Sequence, residues 1–550
     1  MGVEPVRTGD WAVLLASLIG IVVYGLWKGR GSNTTEKYLL AGKSMPWYAM
    51  ALSIMATQAS AITFISTTGQ AYVDGMRFIQ MYLGLPIAMV IIAAWIAPRF
   101  HESGVYTAYE YLERRFDARV RALVSAIFLI QRGLAVGVAL SAPALVLTVI
   151  MGWPASVTTM MMGVVVVGYT VAGGIATVTW TDFVQMLIMT VGLIAALVCA
   201  IWLTPVSLGE AMNVAGAAGR LNPAVWTVDW NDRYNIFSGL IGGMFLSLAY
   251  FGCDQSQVQR YLTGKSITQA KLSLLFNAVA KIPMQFMILF TGAMVFVFFT
   301  FTRPPVTFNP GVEQRIESSA GYQVMKTEYD AAWEARRAAA AKVPVNAGEF
   351  KEAQKRFDTA RAKAGSLAGV SPGADTNYIF LSFVTKYMPV GIVGLIMAAI
   401  FAAAMSTISA EINSLATVSV VDVYKRHVRK NAEDKHYLGA ARWATAFWGM
   451  YAVVTAQYAA HLGSLIEVVN KVGSLFYGGL IGVFVLAFFV PRATARGAFW
   501  GVLTGEAAIF YMWARTDIFF LWFNALGCLV VVAAGYGVSL LERADRPSRT

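Results

Sequence analysis

The sequence predicts an all-α protein that crosses the membrane many times, and three features of the 550-residue chain indicate this class. Hydrophobic residues make up 57% of the chain and charged residues only 13%, against about 25% charged residues in a soluble domain. The apolar residues form long unbroken runs, whereas the strands of a membrane β-barrel alternate in hydrophobicity. The three cysteines lie inside such runs, which excludes a disulfide framework.

Thirteen apolar runs are candidates for membrane-spanning helices, because a helix needs about 20 residues to cross the hydrocarbon core. They lie at about 10–28, 47–68, 76–98, 117–150, 154–172, 174–203, 235–260, 267–301, 388–424, 438–460, 464–490, 496–514 and 516–541. The first run is followed by Lys28 and Arg30 and by no cleavage site, so it is predicted to remain as a helix. An odd number of spans places the two termini on opposite sides.

The basic residues predict how these spans are oriented. Lysine and arginine total 43 against 31 acidic residues, a formal net charge of +12, and in membrane proteins basic residues collect in cytoplasmic loops. One side of the predicted topology carries Lys37, Lys43, Arg114, Arg115, Arg119, Arg121, Arg260, Lys265, Lys425, Arg426, Arg429, Lys430, Arg492 and Arg496. We expect a multi-pass protein of the cell's inner (plasma) membrane, with its N-terminus outside and its C-terminus in the cytoplasm.

One stretch, about residues 302–376, is not apolar and is predicted to form an external insertion. Charged, helix-forming sequence lies on both sides of Val343-Pro344-Val345, which predicts a helical hairpin. A solvated insertion without a direct part in the chemistry is favoured over a substrate lid. The rest of the chain divides into an N-terminal helix and loop (1–46), two sets of five spans (47–203 and 235–490) and two C-terminal helices with a short tail (491–550).

Both sets of five spans open with an interrupted helix. Residues 53–63 are rich in small and polar side chains, and residues 250–257 place an aspartate and two amides in an apolar run. Inverted-repeat transporters have discontinuous helices at corresponding positions of their halves, where backbone carbonyls and helix ends bind ions and solute. The pattern favours such a transporter, although intact membrane helices also use small residues for packing.

A cluster of small and hydroxyl residues in the ninth span is a candidate cation site. Ala403, Ser406, Thr407 and Ala410 share one helix face by their i, i+3, i+4, i+7 spacing. Hydroxyl and carbonyl oxygens on this face would complete the shell of a hard monovalent cation. Helix packing by small residues is the alternative interpretation.

Two carboxylates lie within the predicted spans. Asp182, in the sixth span, is a functional candidate because intramembrane carboxylates are rare, and an interfacial residue near the inner end is an equally supported interpretation. Glu411 follows the cation cluster in the ninth span. Pairing with a basic loop residue is predicted for it.

Three motifs carry a family resemblance. Residues 37–43, Lys-Tyr-Leu-Leu-Ala-Gly-Lys, resemble a YFLAGR loop, and residues 252–262 resemble G-x-[DN]-Q-x-x-x-QR-x-L. Asn413-Ser414, followed by Asp422-Val423-Tyr424-Lys425, resembles NS…D-x-Y. These motifs are similar to those of the sodium:solute symporter family, over about residues 10–490. The resemblance implies a LeuT-type fold, with two inverted repeats of five helices, one extra helix before them and two after.

The resemblance also implies that Na+ is the coupling ion and indicates its candidate ligands. The family's sodium site uses carbonyls of the first broken helix with carbonyl and hydroxyl oxygens of the eighth core helix. The matching residues are Ala56, Ala59, Ala403, Ser406 and Thr407. The resemblance to members with a two-sodium scheme implies a second ion, for which Asp182 and Ser409 are the matching residues. Ala410 stands where another hydroxyl is expected. Asp182 is therefore a candidate either for a second ion or for an exit path.

The resemblance indicates the solute residues less directly. Positions that line the sugar site of family members fall on Thr63, Tyr82, Ser247, Lys281 and Asn470, with Tyr250 at an inner aromatic gate. Gln80, near Tyr82, is a further candidate or a satisfied polar group. Asp254 and Gln255 belong to a stretch that resembles the monocarboxylate, vitamin and iodide branch. An organic anion or monocarboxylate is thus at least as well supported as a sugar or polyol.

The predicted function is Na+-coupled uptake of a small organic solute by alternating access. A solute sensor that acts with a partner and a sodium leak channel are the alternatives. The sequence has no phosphate-binding loop and no metal-ligand spacing among its four histidines, so ATP-driven transport and an enzyme are disfavoured. The expected partners are the solute, the sodium ion and the lipid bilayer, without nucleic acid.

Overall fold

The computed structural model of the chain describes residues 7–544 apart from 152, 233, 320, 343, 368, 370–372, 374 and 460–464. These residues form helices and loops, with no β-strand among them beyond one isolated bridge between Met45 and Gly264. This confirms the predicted all-α class. The first eleven α-helices are α1 (Thr8–Lys28), α2 (Thr35–Leu40), α3 (Trp47–Gln58), α4 (Thr68–Asp74), α5 (Leu85–Ile91), α6 (Ala97–Ser103), α7 (Ala108–Arg115), α8 (Ala118–Met151), α9 (Ala155–Leu203), α10 (Leu208–Ala217) and α11 (Gly243–Gly252).

The described part of the C-terminal half contributes eleven more α-helices. They are α12 (Gln255–Leu262), α13 (Ile267–Phe301), α14 (Pro310–Glu317), α15 (Tyr322–Ala340), α16 (Ala347–Ser366), α17 (Thr376–Tyr387), α18 (Ile392–Val418), α19 (Asp434–Ala459), α20 (Leu465–Phe489), α21 (Ala495–Arg515) and α22 (Leu521–Ala544). Segments of π-helix lie at Thr63–Thr67, Ile92–Ile96, Ser238–Gly242 and Ser419–Val428, and 3-10 segments lie at Ala41–Lys43 and Gly75–Tyr82.

Eight continuous helical segments of the described chain are long and apolar enough to cross a bilayer. They lie at Thr8–Lys28, Thr63–Ser103, Ala118–Thr148, Ser156–Leu203, Ile267–Phe301, Ile392–Val428, Glu467–Phe489 and Leu521–Glu542. The number is below the thirteen predicted runs for physical reasons. The helix of the second run stops at Gln58, α9 unites two runs, and α19 and α21 carry charged residues.

A sharp turn at Gly174 divides α9 into two spans. Its φ of 62° and ψ of −161° lie in a region that is open mainly to glycine. A Cβ at this position would lie 2.5 Å from the backbone oxygen of Tyr38. Glycine therefore permits both the turn and the close approach, at the boundary predicted between the runs 154–172 and 174–203.

The two predicted interruptions are both helix breaks. α3 ends at Gln58, and Ala59 leaves helical geometry with φ −84° and ψ 68°. α11 ends at Gly252, and α12 begins after Asp254, whose side chain accepts a hydrogen bond from the backbone N–H of Ser256 as an N-cap. Because terminal carbonyls and amides of a helix lack partners within it, each break leaves polar backbone inside the bundle.

α18 is the most enclosed span of the bundle. Of its most apolar stretch, 89% is buried, against 22% for the peripheral α1. α8, α9 and α19 pack around α18, and the first broken helix contacts it as well. The ninth-span cluster predicted to bind a cation therefore lies at the centre of the protein.

The insertion packs onto one end of the bundle. Its helices α14, α15 and α16 share a small hydrophobic cluster, formed by Val306, Val312, Ile316, Tyr322, Tyr329, Trp333, Phe357 and Ala364. Arg336 connects the insertion to α13, because its fully buried guanidinium donates to the carbonyl of Phe299. The same guanidinium lies 3.9 Å from the ring centroid of Phe357 in α16. α15 and α16 lie on either side of the predicted division at 343–345, of which residue 343 is outside the described residues.

Candidate ion and solute site

A cavity of about 100 Å³ lies between the two broken helices. Both broken helices, the 3-10 segment after α4, and α8, α18 and α20 form its wall. The lining residues are Thr57, Gln58, Ser60, Thr63, Met81, Tyr82, Gln131, Arg132, Ala135, Leu246, Ser247, Tyr250, Phe251, Thr407, Glu411, Val469, Asn470 and Tyr477. An apolar wall with a few convergent polar groups is typical of a small-molecule site.

Five of the predicted solute residues share this wall: Thr63, Tyr82, Ser247, Tyr250 and Asn470. They come from four separate helical segments, so the fold brings together positions that are hundreds of residues apart. The hydroxyl of Tyr250 accepts a hydrogen bond from Gln257 Nε2 at 2.8 Å, which fixes the ring at the edge of the second break. Their roles as solute ligands stay predictions.

Lys281 lies behind the wall of the cavity. Its side chain is fully buried on α13, and its ammonium lies 5.5 Å from the ring centroid of Tyr82. The ammonium has no hydrogen-bond partner within the described ranges. Burial of an unpaired cation is unfavourable, so Lys281 remains a candidate that lies beside Tyr82 and outside the lining of the cavity.

The amides of Gln80 and Gln255 are used elsewhere. Gln80 accepts a hydrogen bond from the backbone N–H of Val225 at 2.9 Å and donates to the carbonyl of Tyr234 at 2.9 Å. Gln255 accepts a hydrogen bond from the backbone N–H of Ala108 at 2.9 Å and donates to the carbonyl of Tyr106 at 3.0 Å, at the start of α7. Neither side chain lines the cavity. For Gln80, the contacts match the satisfied polar group that was the alternative interpretation.

Arg132 is the centre of a buried ion-pair network in the cavity wall, and no sequence motif points to this residue. Its guanidinium is buried in the middle of α8 and forms ion pairs with Glu411 Oε1, at 2.8 Å, and with Asp254. It also donates to the hydroxyl of Tyr477 at 2.7 Å. The network joins α8, α18, α20 and the break of the second broken helix.

This network corrects the prediction for Glu411. A basic loop residue was expected as its partner, and this is wrong because Glu411 is only 3% exposed on the enclosed α18 and pairs with Arg132. Asp254, a predicted solute residue, does not line the cavity but holds the same arginine. An arginine inside the apolar run 117–150 is itself a functional signal, and it is obscured by the basic residues at the start of that run.

One of the predicted cation ligands, Thr407, contacts the last turn of the first broken helix. Thr407 Oγ1 lies 3.0 Å from the carbonyl oxygen of Thr57 and 3.1 Å from that of Ala403. The hydroxyl has one proton, so it satisfies only one of these two carbonyls. Ser406 Oγ is fully buried close to the carboxylate of Asp182, outside standard hydrogen-bond geometry with any described residue. Carbonyl and hydroxyl oxygens with unused lone pairs are suitable ligands for a hard cation such as Na+.

Ala56 and Ala59 complete the predicted set through their backbone. Both are fully buried, one in the last turn of α3 and the other just beyond it. Carbonyls at a helix C-terminus have no i+4 donor within the helix. The donor set of carbonyl and hydroxyl oxygens fits sodium, and the assignment of the five ligands stays a prediction.

Asp182 is held by two neighbours, Ser53 and Arg260. Its Oδ2 accepts hydrogen bonds from Ser53 Oγ at 2.6 Å and from Arg260 Nη1 at 2.6 Å. Its Oδ1 has no partner among the residues described. Ser409 Oγ donates to the carbonyl of Ser406 at 3.1 Å. A second sodium at Asp182 and Ser409 therefore stays a prediction, in which the ion would share the carboxylate with Arg260.

Asp182→Asn is expected to destabilise the folded protein by about 3–5 kcal/mol, the range for removing one partner of a buried ion pair. The amide keeps the size of the side chain but leaves the fully buried guanidinium of Arg260 without its counter-charge. Thermal unfolding in detergent measures the change. Asp330→Asn is the control, because its ion pair with Arg303 is about one-third exposed. A double variant Asp182→Asn/Arg260→Gln that is no more stable than Asp182→Asn would contradict the explanation.

Comparison with known proteins matches this chain to one family model, described as the sodium:solute symporter family, over residues 38–328 and 360–505. The sodium/sialic acid symporter NanT of Aliivibrio fischeri is 28% identical over 98% of this chain and 94% of its own length. The human sodium-coupled monocarboxylate transporter 1 is 28% identical over 93% of this chain and 74% of its own length.

A solved structure matches the whole fold. It is described as the substrate-bound outward-open state of a Na+-coupled sialic acid symporter, and it covers 97% of this chain and 98% of its own with a TM-score of 0.78 and 25% sequence identity. It confirms the predicted LeuT-type arrangement.

Proposed function

The chain belongs to the sodium:solute symporter family, and from this premise we propose that it takes up a carboxylate-bearing organic solute, of the hydroxylated sialic-acid type, together with Na+. Na+-coupled symport is the function of the family and of the relatives described above. The solute class, the ligands of each ion and the orientation in the membrane are the parts that we propose.

Arg132 is the observation that carries the solute class. Its guanidinium lines the cavity, and its Nε has no hydrogen-bond partner within the described residues. A planar guanidinium is the side chain that best matches a carboxylate, since it offers parallel N–H donors. The amides and hydroxyls of Gln58, Thr63 and Asn470 supply partners for the remaining polar groups of a hydroxylated solute.

Glu411 provides a physical route by which sodium would favour this solute. Thr407 and Glu411 both face the cavity from α18 at i and i+4, a spacing that puts their Cβ atoms about 5–6 Å apart. An ion at Thr407 would therefore offset the charge of Glu411, which otherwise pairs with Arg132. Arg132 is then released for the solute carboxylate. By reciprocity, the bound solute would raise the affinity for sodium by the same factor.

We propose the predicted orientation for the transport direction. The N-terminus and the insertion lie outside, and the basic loops lie in the cytoplasm of a cell with an inner (plasma) membrane. Alternating access would then open the cavity first to the insertion side and next to the side of Asp182 and Arg260.

A thermal-shift panel tests the solute class with the purified full chain. N-acetylneuraminate, lactate and glucose are each added in sodium chloride and in choline chloride. Ligand at about 100 times its dissociation constant stabilises a protein by about 2.7 kcal/mol. We expect the sialic acid, in sodium only, to raise the unfolding temperature most. A sugar is the second candidate, because the cavity wall also carries uncharged hydroxyls and amides. Stabilisation by glucose alone would replace the proposed carboxylate solute with a sugar. Equal shifts in choline would contradict the coupling.

A further inference from the structure

A second cavity, of about 210 Å³, lies between the insertion and the outer ends of α4 and α13. It shares no lining residue with the solute cavity. Six parts of the chain meet there, and the residues that matter for its chemistry are Tyr72, Arg220, Phe296, Gln354, Phe357 and Asp358. Membrane helices supply one wall and α16 of the insertion supplies the other.

Arg220 is the basic group of this cavity that forms no ion pair within the described residues. Arg361 is paired with Asp375 at 2.7 Å, and that carboxylate also accepts a hydrogen bond from the backbone N–H of Phe308 at 2.7 Å. Asp358 accepts a hydrogen bond from Gln354 Nε2 at 2.8 Å. Arg220, by contrast, forms no ion pair with any described residue, and its Nε is buried without a hydrogen-bond partner.

The backbone holds Arg220 in this place from both sides. Its N–H donates to the carbonyl of Ala215 at 2.8 Å, and its carbonyl accepts a hydrogen bond from the N–H of Met76 at 2.9 Å. Gly75 has a φ of 74°, and a Cβ there would lie 2.6 Å from the oxygen of Arg220, so glycine makes the close approach possible. The arginine is therefore set by the fold, independently of any ligand.

The walls around the guanidinium are aromatic. Its central carbon lies 4.7 Å from the ring centroid of Phe296, and the Tyr72 and Phe296 rings are 5.6 Å apart in an edge-to-face contact. Phe357 closes the insertion side. Burial lowers the pKa of Arg220, because the desolvated charge is only partly offset by the more distant Asp358 and Asp74. A small anion would supply the missing counter-charge.

We propose that this outer cavity binds a small organic monocarboxylate, with the carboxylate on Arg220 and an apolar or ring-shaped body between Tyr72, Phe296 and Phe357. The guanidinium selects a carboxylate by its paired N–H groups. The negative charges of Asp358 and Asp74 nearby disfavour ligands with two or more carboxylates. The insertion thus acquires a binding role. The inference does not rest on the proposed solute of the inner cavity, because the two sites have separate residues.

Benzoate is the probe, and benzamide is its uncharged counterpart of the same shape. Thermal unfolding of the full chain is followed in sodium-free choline buffer, because the proposed inner site requires sodium to bind its solute well. We expect benzoate to raise the unfolding temperature and benzamide to have no effect. Arg220→Gln should weaken the apparent affinity for benzoate by about tenfold or more, the factor that 1.4 kcal/mol represents. Arg356→Gln, an exposed arginine on the same helix as Phe357, is the matched control and should keep the response.

A labelling measurement covers the case in which Arg220→Gln does not fold. Ala362→Cys places a thiol in the cavity wall, whereas Ala331→Cys places one on the exposed face of α15. We expect benzoate, but not benzamide, to slow maleimide labelling at position 362 and to leave position 331 unchanged. Equal effects of the two probes, equal protection at both positions, or an unchanged benzoate response of folded Arg220→Gln would overturn the proposal.

Discussion

Thr407→Ala is expected to shift sodium-stimulated uptake to much higher sodium concentrations while the protein still folds. The hydroxyl lies between the carbonyl oxygens of Thr57 and Ala403 and connects α18 with the first broken helix. Its removal deletes one proposed ion ligand, and the sodium concentration for half-maximal uptake should rise at least about tenfold, the change that 1.4 kcal/mol produces. The loss in stability should be only about 0.5–1.5 kcal/mol, the net contribution of one hydrogen bond.

Uptake into liposomes at increasing sodium concentrations measures this change. Thr179→Ala is the matched control, since Thr179 is also buried and its hydroxyl donates to the carbonyl of Ile175, at 2.9 Å, within its own helix. Ser406→Ala should behave like Thr407→Ala, because Ser406 is a fully buried neighbour of Thr407 on α18 and its hydroxyl is a second proposed ion ligand. Wild-type sodium dependence in both variants would refute the proposed ion site.

Much of the fold could be predicted because its determinants are local. The length of an apolar run decides whether a helix crosses the bilayer. Gly174 marks the turn inside α9, and Asp254 caps the helix after the second break. The place where the insertion packs against the bundle could not be predicted in this way. Its attachment depends on Arg336 and Phe299, which are 37 residues apart and meet only after α13 and α15 have packed.

The candidate site could be predicted only where a motif marked it. Ser406 and Thr407 stand in a recognisable pattern, and Thr407 contacts the first broken helix. Arg132 belongs to no such pattern, and its partner Glu411 is 279 residues away. Gln80 illustrates the reverse case, because its amide is satisfied by a loop that has no sequence pattern of its own. Pairing between distant buried polar groups is a tertiary property, and a single sequence does not specify it.

Arg132→Lys is expected to lower uptake of a carboxylate solute by about 100-fold. Lysine keeps a positive charge for Asp254 and Glu411, but it lacks the paired N–H groups that match a carboxylate. The loss of a hydrogen bond to a charged group is worth about 1.5–3 kcal/mol, and each 1.4 kcal/mol is a factor of ten. Arg442→Lys, an exposed arginine on α19, is the control. Uptake is compared at saturating sodium and at equal amounts of reconstituted protein, and thermal unfolding checks that each variant is folded.

Glu411→Gln distinguishes a solute ligand from a purely structural arginine. If Glu411 competes with the solute for Arg132, its neutralisation frees the guanidinium without sodium, and the solute affinity in choline should rise about tenfold, as for a gain of 1.4 kcal/mol. Sodium would then add little further affinity. Binding of labelled solute to the purified variant, in sodium and in choline, gives the two values. A structural role for Arg132 predicts weaker binding in both media, because Asp254 would then be the only remaining acidic partner of the arginine.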